Sequence, residues 1–315
     1  IPISYTNSKE ISKPKYDSYY DDLELNSILD ITQNKDSVIN QSKMLSNSKS
    51  FSILGLSKIK TNEKKSRIYD IENLNFSYSY AENNYQDFEM DYSNKRMVLA
   101  SAQYAYNFDD LSVYPFDKLL ENKNSKYLKW LKEFNFNPLP SSLTFSANYN
   151  RTLYSQKFRE INYSGVVSNS QIPIPEFRQS KFMFDWLLSI SHNVSRSLVL
   201  SYNSSNSSLI PTFSKEISST ERNKMELFDN FFEVGQSNFF NQNFSANYNL
   251  PISNFPFLDF IDANYSYNGN FNWQRGSDIQ NNVVDQLGNK LGRVNTIQNS
   301  NNQSINISMN LEKLY

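Results

Sequence analysis

Cysteine is absent from the 315 residues. That removes disulfide frameworks, thiolate metal sites and cysteine nucleophiles, and leaves the compartment undecided. Histidine occurs once. His192 stands at the end of a predicted strand, and without a positioned partner it reads as structural rather than as a general base. Glycine occurs 7 times, few for a sheet protein, where glycine eases strand bends. Gly288 and Gly292 read as turn residues, and there is no P-loop, no dinucleotide fingerprint and no nucleophile elbow. The sequence offers no catalytic, cofactor-binding or metal-binding residue set, so the expectation is a non-enzyme.

Charge of either sign is also not in excess. The formal net charge is −1, so no basic field argues for a nucleic-acid partner. Mean hydropathy is −0.62, and no apolar run approaches the roughly 18 residues of a membrane helix. Membrane barrels escape that test, because their polar face cancels their apolar one. The acidic group Asp17, Asp21, Asp22 and Glu24 lacks the glycine and ligand spacing of a calcium loop and reads as solvated. Asp109, Asp110 and Asp229 fall in predicted loops and read the same way.

Aromatic residues are abundant, at 15% of the chain, and asparagine fills roughly one position in seven, well above common usage. A biased genome could enrich asparagine everywhere, but would not confine it to one parity. In residues 261–273 the odd positions are Ile261, Ala263, Tyr265, Tyr267, Gly269, Phe271 and Trp273. The even ones are Asp262, Asn264, Ser266, Asn268, Asn270 and Asn272. Successive strand side chains face opposite ways, so this run has one aromatic and one amide face. It exceeds the usual five or six residues of a soluble strand and suits the roughly nine to eleven of a tilted membrane strand.

The same alternation recurs along the chain. It predicts strands at 51–59, 74–80, 88–92, 98–108, 143–159, 182–190, 198–202, 244–250, 261–273 and 304–311, with turns at 81–84 and 94–95. Residues 9–48 read as a polar loop region, with a short helix in 21–30. Residues 111–140 break the period. Tyr127, Leu128, Trp130, Leu131 and Phe134 have helical spacing, Ser125 is a candidate N-cap, and Pro138 and Pro140 end the element. Residues 205–236 and 274–296 read as long loops. The expected fold is all-β: an antiparallel transmembrane β-barrel segment of about ten long strands, an arc of a larger barrel, with one short amphipathic helix in a loop. Short turns and long loops are expected to alternate, as in outer-membrane barrels. Residues 1–315 form one such segment. The opening Ile1-Pro-Ile-Ser-Tyr5 already looks like a strand and carries no signal-like run, so an internal piece of a longer protein is expected.

Several motifs together resemble the SprA/Sov family, the outer-membrane translocon of the Bacteroidetes type IX secretion system, tied to gliding motility. They are Ile1-Pro-Ile-Ser-Tyr5, Lys13-Pro-Lys-Tyr-Asp17, Tyr69-Asp-Ile-Glu-Asn-Leu74, Phe76-Ser-Tyr-Ser-Tyr80 and Phe134-Asn-Phe-Asn-Pro-Leu-Pro140. Further on come Asn150-Arg151, Tyr248-Asn-Leu-Pro-Ile252, Tyr265-Ser-Tyr267, Asn272-Trp-Gln274, Thr296-Ile-Gln-Asn-Ser300 and Leu311-Glu-Lys-Leu-Tyr315. Residues 205–236 match poorly, and Gly292-Arg-Val-Asn295 separates a glycine and asparagine that the family keeps together. The resemblance implies a wall segment of a large protein-conducting barrel in the cell outer membrane. It implies contact with outer-membrane lipid, a PorV-like partner barrel, a periplasmic plug protein and cargo bearing C-terminal sorting domains. The competing reading is a soluble or surface all-β binding or adhesion module, whose outward face would normally carry many Lys and Glu.

Overall fold

The computed structural model describes residues 2–20, 22–60, 66–117, 129–132, 134–160, 174–211, 226–255, 257–277, 283, 288, 292–310 and 312. It is all-β. Ten strands pair antiparallel in sequence order as one open sheet: β1 (Ile3–Ser12), β2 (Met44–Ser57), β3 (Leu74–Gln86), β4 (Met90–Asn107), β5 (Ser142–Phe158), β6 (Phe177–Asn193), β7 (Leu198–Leu209), β8 (Gln236–Leu250), β9 (Ile261–Gln274) and β10 (Thr296–Met309). β1 and β10 are the free edges. Helices are few and short: α1 (Leu25–Ile31), α2 (Lys35–Ser42) and the single turn α3 (Lys129–Lys132). Among the described residues no helix is long and apolar enough to cross a membrane, which says nothing of crossing by strands.

The register carries the alternation from strand to strand. Tyr248 lies opposite Tyr265 and Ala246 opposite Tyr267, while Asn249 faces Asn264 and Asn243 faces Asn270. The same parity continues through Leu198 opposite Tyr248, Ile190 opposite Tyr202 and Phe145 opposite Leu188. It reaches the other edge through Tyr104 opposite Phe145, Tyr78 opposite Ala100, Phe51 opposite Tyr80 and Tyr5 opposite Phe51. One face is therefore mainly aromatic and aliphatic across all ten strands. The other is mainly amide and hydroxyl, softened at Met183 and Leu187.

Several expected boundaries are corrected. The polar region 9–48 contributes the end of β1 and the start of β2, with α1 and α2 between them. Asn7 and Lys9 lie opposite Lys49 and Asn47, so this end of the otherwise apolar face is itself polar and does not look like strand. The turns expected at 81–84 and 94–95 are strand interior. Glu82 pairs with Arg96 and Asn84 with Asn94 across β3 and β4, and Asn94 Nδ2 donates to Asn84 Oδ1 at 2.7 Å. Cross-strand polar pairing there outweighs the turn propensity of asparagine. The turn lies at 87–89, where Asp87 Oδ1 accepts from Met90 N at 2.7 Å. The three strands expected in 74–108 are thus two. The loop expected at 205–236 is shorter, because β7 continues to Leu209 and β8 begins at Gln236. Of the helix expected in 111–140 only α3 is described, and Ser125, Tyr127 and Leu128 lie outside the described residues. Short and long connections do not segregate either: the tight turns 87–89 and 194–197 lie at opposite ends of the sheet.

The buried core is small. Among the described residues Val98, Leu153, Phe182, Ile210 and Leu227 form a cluster. The accessible surface is 22310 Å², against roughly 13,600 Å² for a compact soluble monomer of 36.8 kDa. Among the described residues no second sheet packs on this one. Large apolar side chains stay open on the aromatic face, among them Phe145, Phe244, Ile305 and Ile307. A two-layer sandwich would have covered them.

Candidate functional site

Among the described residues no side-chain constellation for chemistry comes together, so the candidate functional surface is the sheet itself and the segment that crosses it. On the amide face, neighbouring strands are stitched by side chains. Asn243 Nδ2 donates to Asn270 Oδ1 at 2.6 Å and Asn268 Oδ1 at 3.1 Å. Asn264 Nδ2 donates to Asn249 Oδ1 at 2.6 Å, Asn241 pairs with Asn272, and the hydroxyls of Ser266 and Ser304 are 2.6 Å apart. These groups are neutral, and the charges on this face are few and of both signs, among them Lys95, Lys181, Asp185 and Asp262.

On the aromatic face Glu82, Arg96, Arg151 and Arg178 break the apolar pattern, and Arg151 is the most deeply buried of them. Arg151 stands on apolar parity, between Tyr149 and Leu153 on β5 and opposite Val98 and Phe182, and it is fully buried. The cover is residues 226–235, a strap between β7 and β8. Arg151 Nη1 donates to the carbonyls of Leu227 at 3.1 Å and Asp229 at 2.5 Å, and Nη2 to that of Asn230 at 2.6 Å. The guanidinium carbon also sits 5.0 Å from the Phe182 ring centre and 5.1 Å from that of Phe231. Phe231 stacks on Tyr149 at 5.5 Å.

The logic is reciprocal. An irregular strap on an apolar face leaves carbonyls that need donors, and a guanidinium offers five in a planar fork. A buried arginine needs acceptors, and the strap supplies three. Two of the strap's local turns close internally: Asp229 Oδ2 accepts from Glu226 N at 2.7 Å, and Glu233 N donates to Asn230 O at 2.9 Å. Gly235, at φ +73, ends the strap. A Cβ there would meet Leu209 O at 2.4 Å, so only glycine fits.

At the root of the strap, Glu226 bridges two strands. Its carboxylate accepts from Arg96 at 2.9 Å and Arg178 at 3.1 Å. Partial burial works to raise this carboxyl, but the hydrogen bond from Arg178 and the charge and hydrogen bond of Arg96 together hold it below its ordinary value. A carboxyl depressed on folding contributes stability above its unfolded pKa of about 4.3, lost as pH falls through the folded value. The pair is half exposed, so its contribution is small, about 0–1 kcal/mol. Glu226→Gln is expected to lower stability by that amount at neutral pH, and the difference from the parent should vanish in acid. Urea midpoints against pH check this.

The residues singled out by sequence are dispersed. His192 lies on apolar parity, and its Nε2 donates to Asn137 O at 2.8 Å. Asn137 Nδ2 in turn donates to Asp110 Oδ1 at 3.3 Å. The backbone of Arg196 donates to Asn135 Oδ1 at 3.0 Å. His192 and Asp110 thus help fix the Phe134–Pro140 motif beneath the β6–β7 turn. Asp17 is buried and accepts from the backbone of Tyr19 and Tyr20 at 2.8 and 3.0 Å, closing its own loop. Glu24 pairs with Lys15 at 3.6 Å, and Asp21 lies outside the described residues. No group of three His, Asp or Glu among the described residues could hold a metal ion. Gly288 and Gly292 have φ +84 and +71, the conformation of turn glycines.

Sequence reasoning missed Arg151, Glu226, Arg96 and Arg178 as one system. Arg151 carried a signal: an arginine on apolar parity inside a strand calls for a covering segment. Compared with known proteins, the chain matches no family model and no curated protein.

Proposed function

We propose that this chain is a stretch of wall of a large outer-membrane protein-conducting channel, the translocon type that its SprA/Sov-like motifs imply, linked to type IX secretion and gliding motility. One observation carries the reading: an open sheet with one mainly apolar face and one mainly amide and hydroxyl face of few charges, built from strands long enough to cross a bilayer. From β2 to β10 the strands have 12 to 18 residues. They rise roughly 40–60 Å along their axes. Tilted at about 40°, they span some 30–45 Å, which exceeds a hydrocarbon core of about 30 Å.

In this reading the aromatic face meets lipid and the amide face lines water. Neutral amides keep the lumen wet without holding charged cargo tightly. The free edges of β1 and β10 each present unpaired backbone groups, and lipid does not tolerate those. Further strands must pair with them, or they must pair with each other. A PorV-like barrel, a plug protein and cargo with C-terminal sorting domains are the partners this function calls for. The role is structural rather than catalytic.

Lumen side chains tune selectivity in such channels. Asn268→Lys with Asn270→Lys, in the whole protein reconstituted in planar bilayers with any plug removed, is expected to shift ion selectivity toward anions. Conductance with unchanged selectivity would place the amide face away from the water path. The second reading, a soluble or surface binding module, draws support from the strap, which covers part of the aromatic face as a second layer would. It leaves β1 and β10 exposed along almost their whole length.

A further inference from the structure

Beneath the strap the aromatic face holds a cavity of about 300 Å³. Its floor is Ala100, Ala102 and Ala147, with Ala102 opposite Ala147 across β4 and β5. Three methyl side chains on a face otherwise carrying Phe, Tyr, Ile and Leu leave a trough. Phe231 and Phe232 roof it, and Leu56 and Phe76 close its far side. The outer side of the strap is apolar as well: Phe232 is 87% exposed and Phe228 55%.

The lining decides the occupant. A peptide segment would bring N–H and C=O groups that need partners, and these walls are almost wholly apolar. An acyl chain brings no polar group along its length. Water in such a trough would find no set of polar partners. The mouth opens on the same face that meets hydrocarbon in the reading above. We propose that the trough binds a single lipid acyl chain, with the strap as its clasp and Arg151 as the pin of the clasp. This rests on the membrane reading of the aromatic face.

The test uses the whole protein in phosphatidylcholine liposomes containing a trace of the same lipid with a diazirine in its acyl chain. After irradiation, adducts are mapped by mass spectrometry. The expected result is labelling at Phe76, Phe231 and Phe232 several-fold above that at Tyr265 and Phe271 on β9. It should fall to the β9 level in Ala147→Leu or Ala102→Leu, two independent fillings of the trough, with β9 labelling intact as proof of assembly. Equal labelling at the trough and β9, unchanged by either filling, would mean ordinary boundary lipid and overturn the site. Labelling at β9 with none in the trough would mean that protein occupies it, which also overturns the proposal. No adducts on either would sink the membrane reading itself, and the site with it.

Discussion

Replacing Arg151 with alanine is expected to release the 226–235 strap and destabilise the protein by about 3–5 kcal/mol, the range for breaking one side of a buried charged network. Three strap carbonyls lose their donor at once, and each hydrogen bond to a charged group contributes roughly 1.5–3 kcal/mol. The rings of Phe182 and Phe231 also lose the cation between them. Lysine should rescue only partly. It keeps the charge but cannot present a planar fork to three carbonyls. Limited proteolysis in mild detergent reads the strap directly, and urea unfolding reads the stability. Cleavage within 226–235 should become fast in Arg151→Ala, intermediate in Arg151→Lys and slow in the parent. If all three resist protease equally, the strap is held by its aromatic contacts and the guanidinium is not its pin.

The second large effect is a contrast between adjacent residues. Phe244 and Ser245 lie side by side on β8, facing opposite ways: Phe244 is opposite Gly269 and Ser245 opposite Asn268. Phe244 belongs to the aromatic face and is 40% exposed. An arginine on the lipid face near the midplane of a membrane barrel costs about 2–4 kcal/mol, whereas lumen positions tolerate charge. If the sheet is a membrane wall as proposed, Phe244→Arg should cut membrane-assembled protein severely, and Ser245→Arg should leave it near the parental level. Quantifying folded, membrane-inserted protein for each variant checks this. Equal tolerance would mean that no hydrocarbon meets the aromatic face. The reverse order would mean that the amide face is the one packed away from water.

How far the sequence is legible depends on where polar residues sit within strands. β9 can be read almost to the residue, because no position breaks its period, and β5 is legible for the same reason as far as Asn150. β3 and β4 are harder. Their polar stretch from Glu82 to Asn84 pairs with Asn94 to Arg96, and in one dimension such a run looks like two turns. The end of β7 is similar. Ser204, Asn206 and Ser208 have low strand propensity, yet they are buried in the sheet and Asn206 bonds Ser208 at 2.8 Å. Their strand character comes from neighbours rather than from their own preference.

The strap is the least legible part. Its residues have no period, and its fixing points lie far away in sequence on β4, β5 and β6. Its clearest trace in the chain is Arg151, an arginine placed where the period asks for an apolar residue. The aspartates suggest metal or solvent by type, and geometry assigns Asp17, Asp87 and Asp229 to closing turns. Such short-range bonds depend on backbone angles that residue type alone does not fix.

The most direct measurement uses the absence of native cysteine. Single cysteines are placed along β9 in the whole protein in its native membrane and treated with a bulky water-soluble thiol reagent. The membrane-wall account predicts labelling at Asn264, Ser266, Asn268 and Asn270, and protection at Tyr265, Tyr267 and Phe271 that detergent removes. Protection at those three positions that persists in detergent, in a protein that carbonate washes from the membrane, would contradict it and make the aromatic face a protein-covered core.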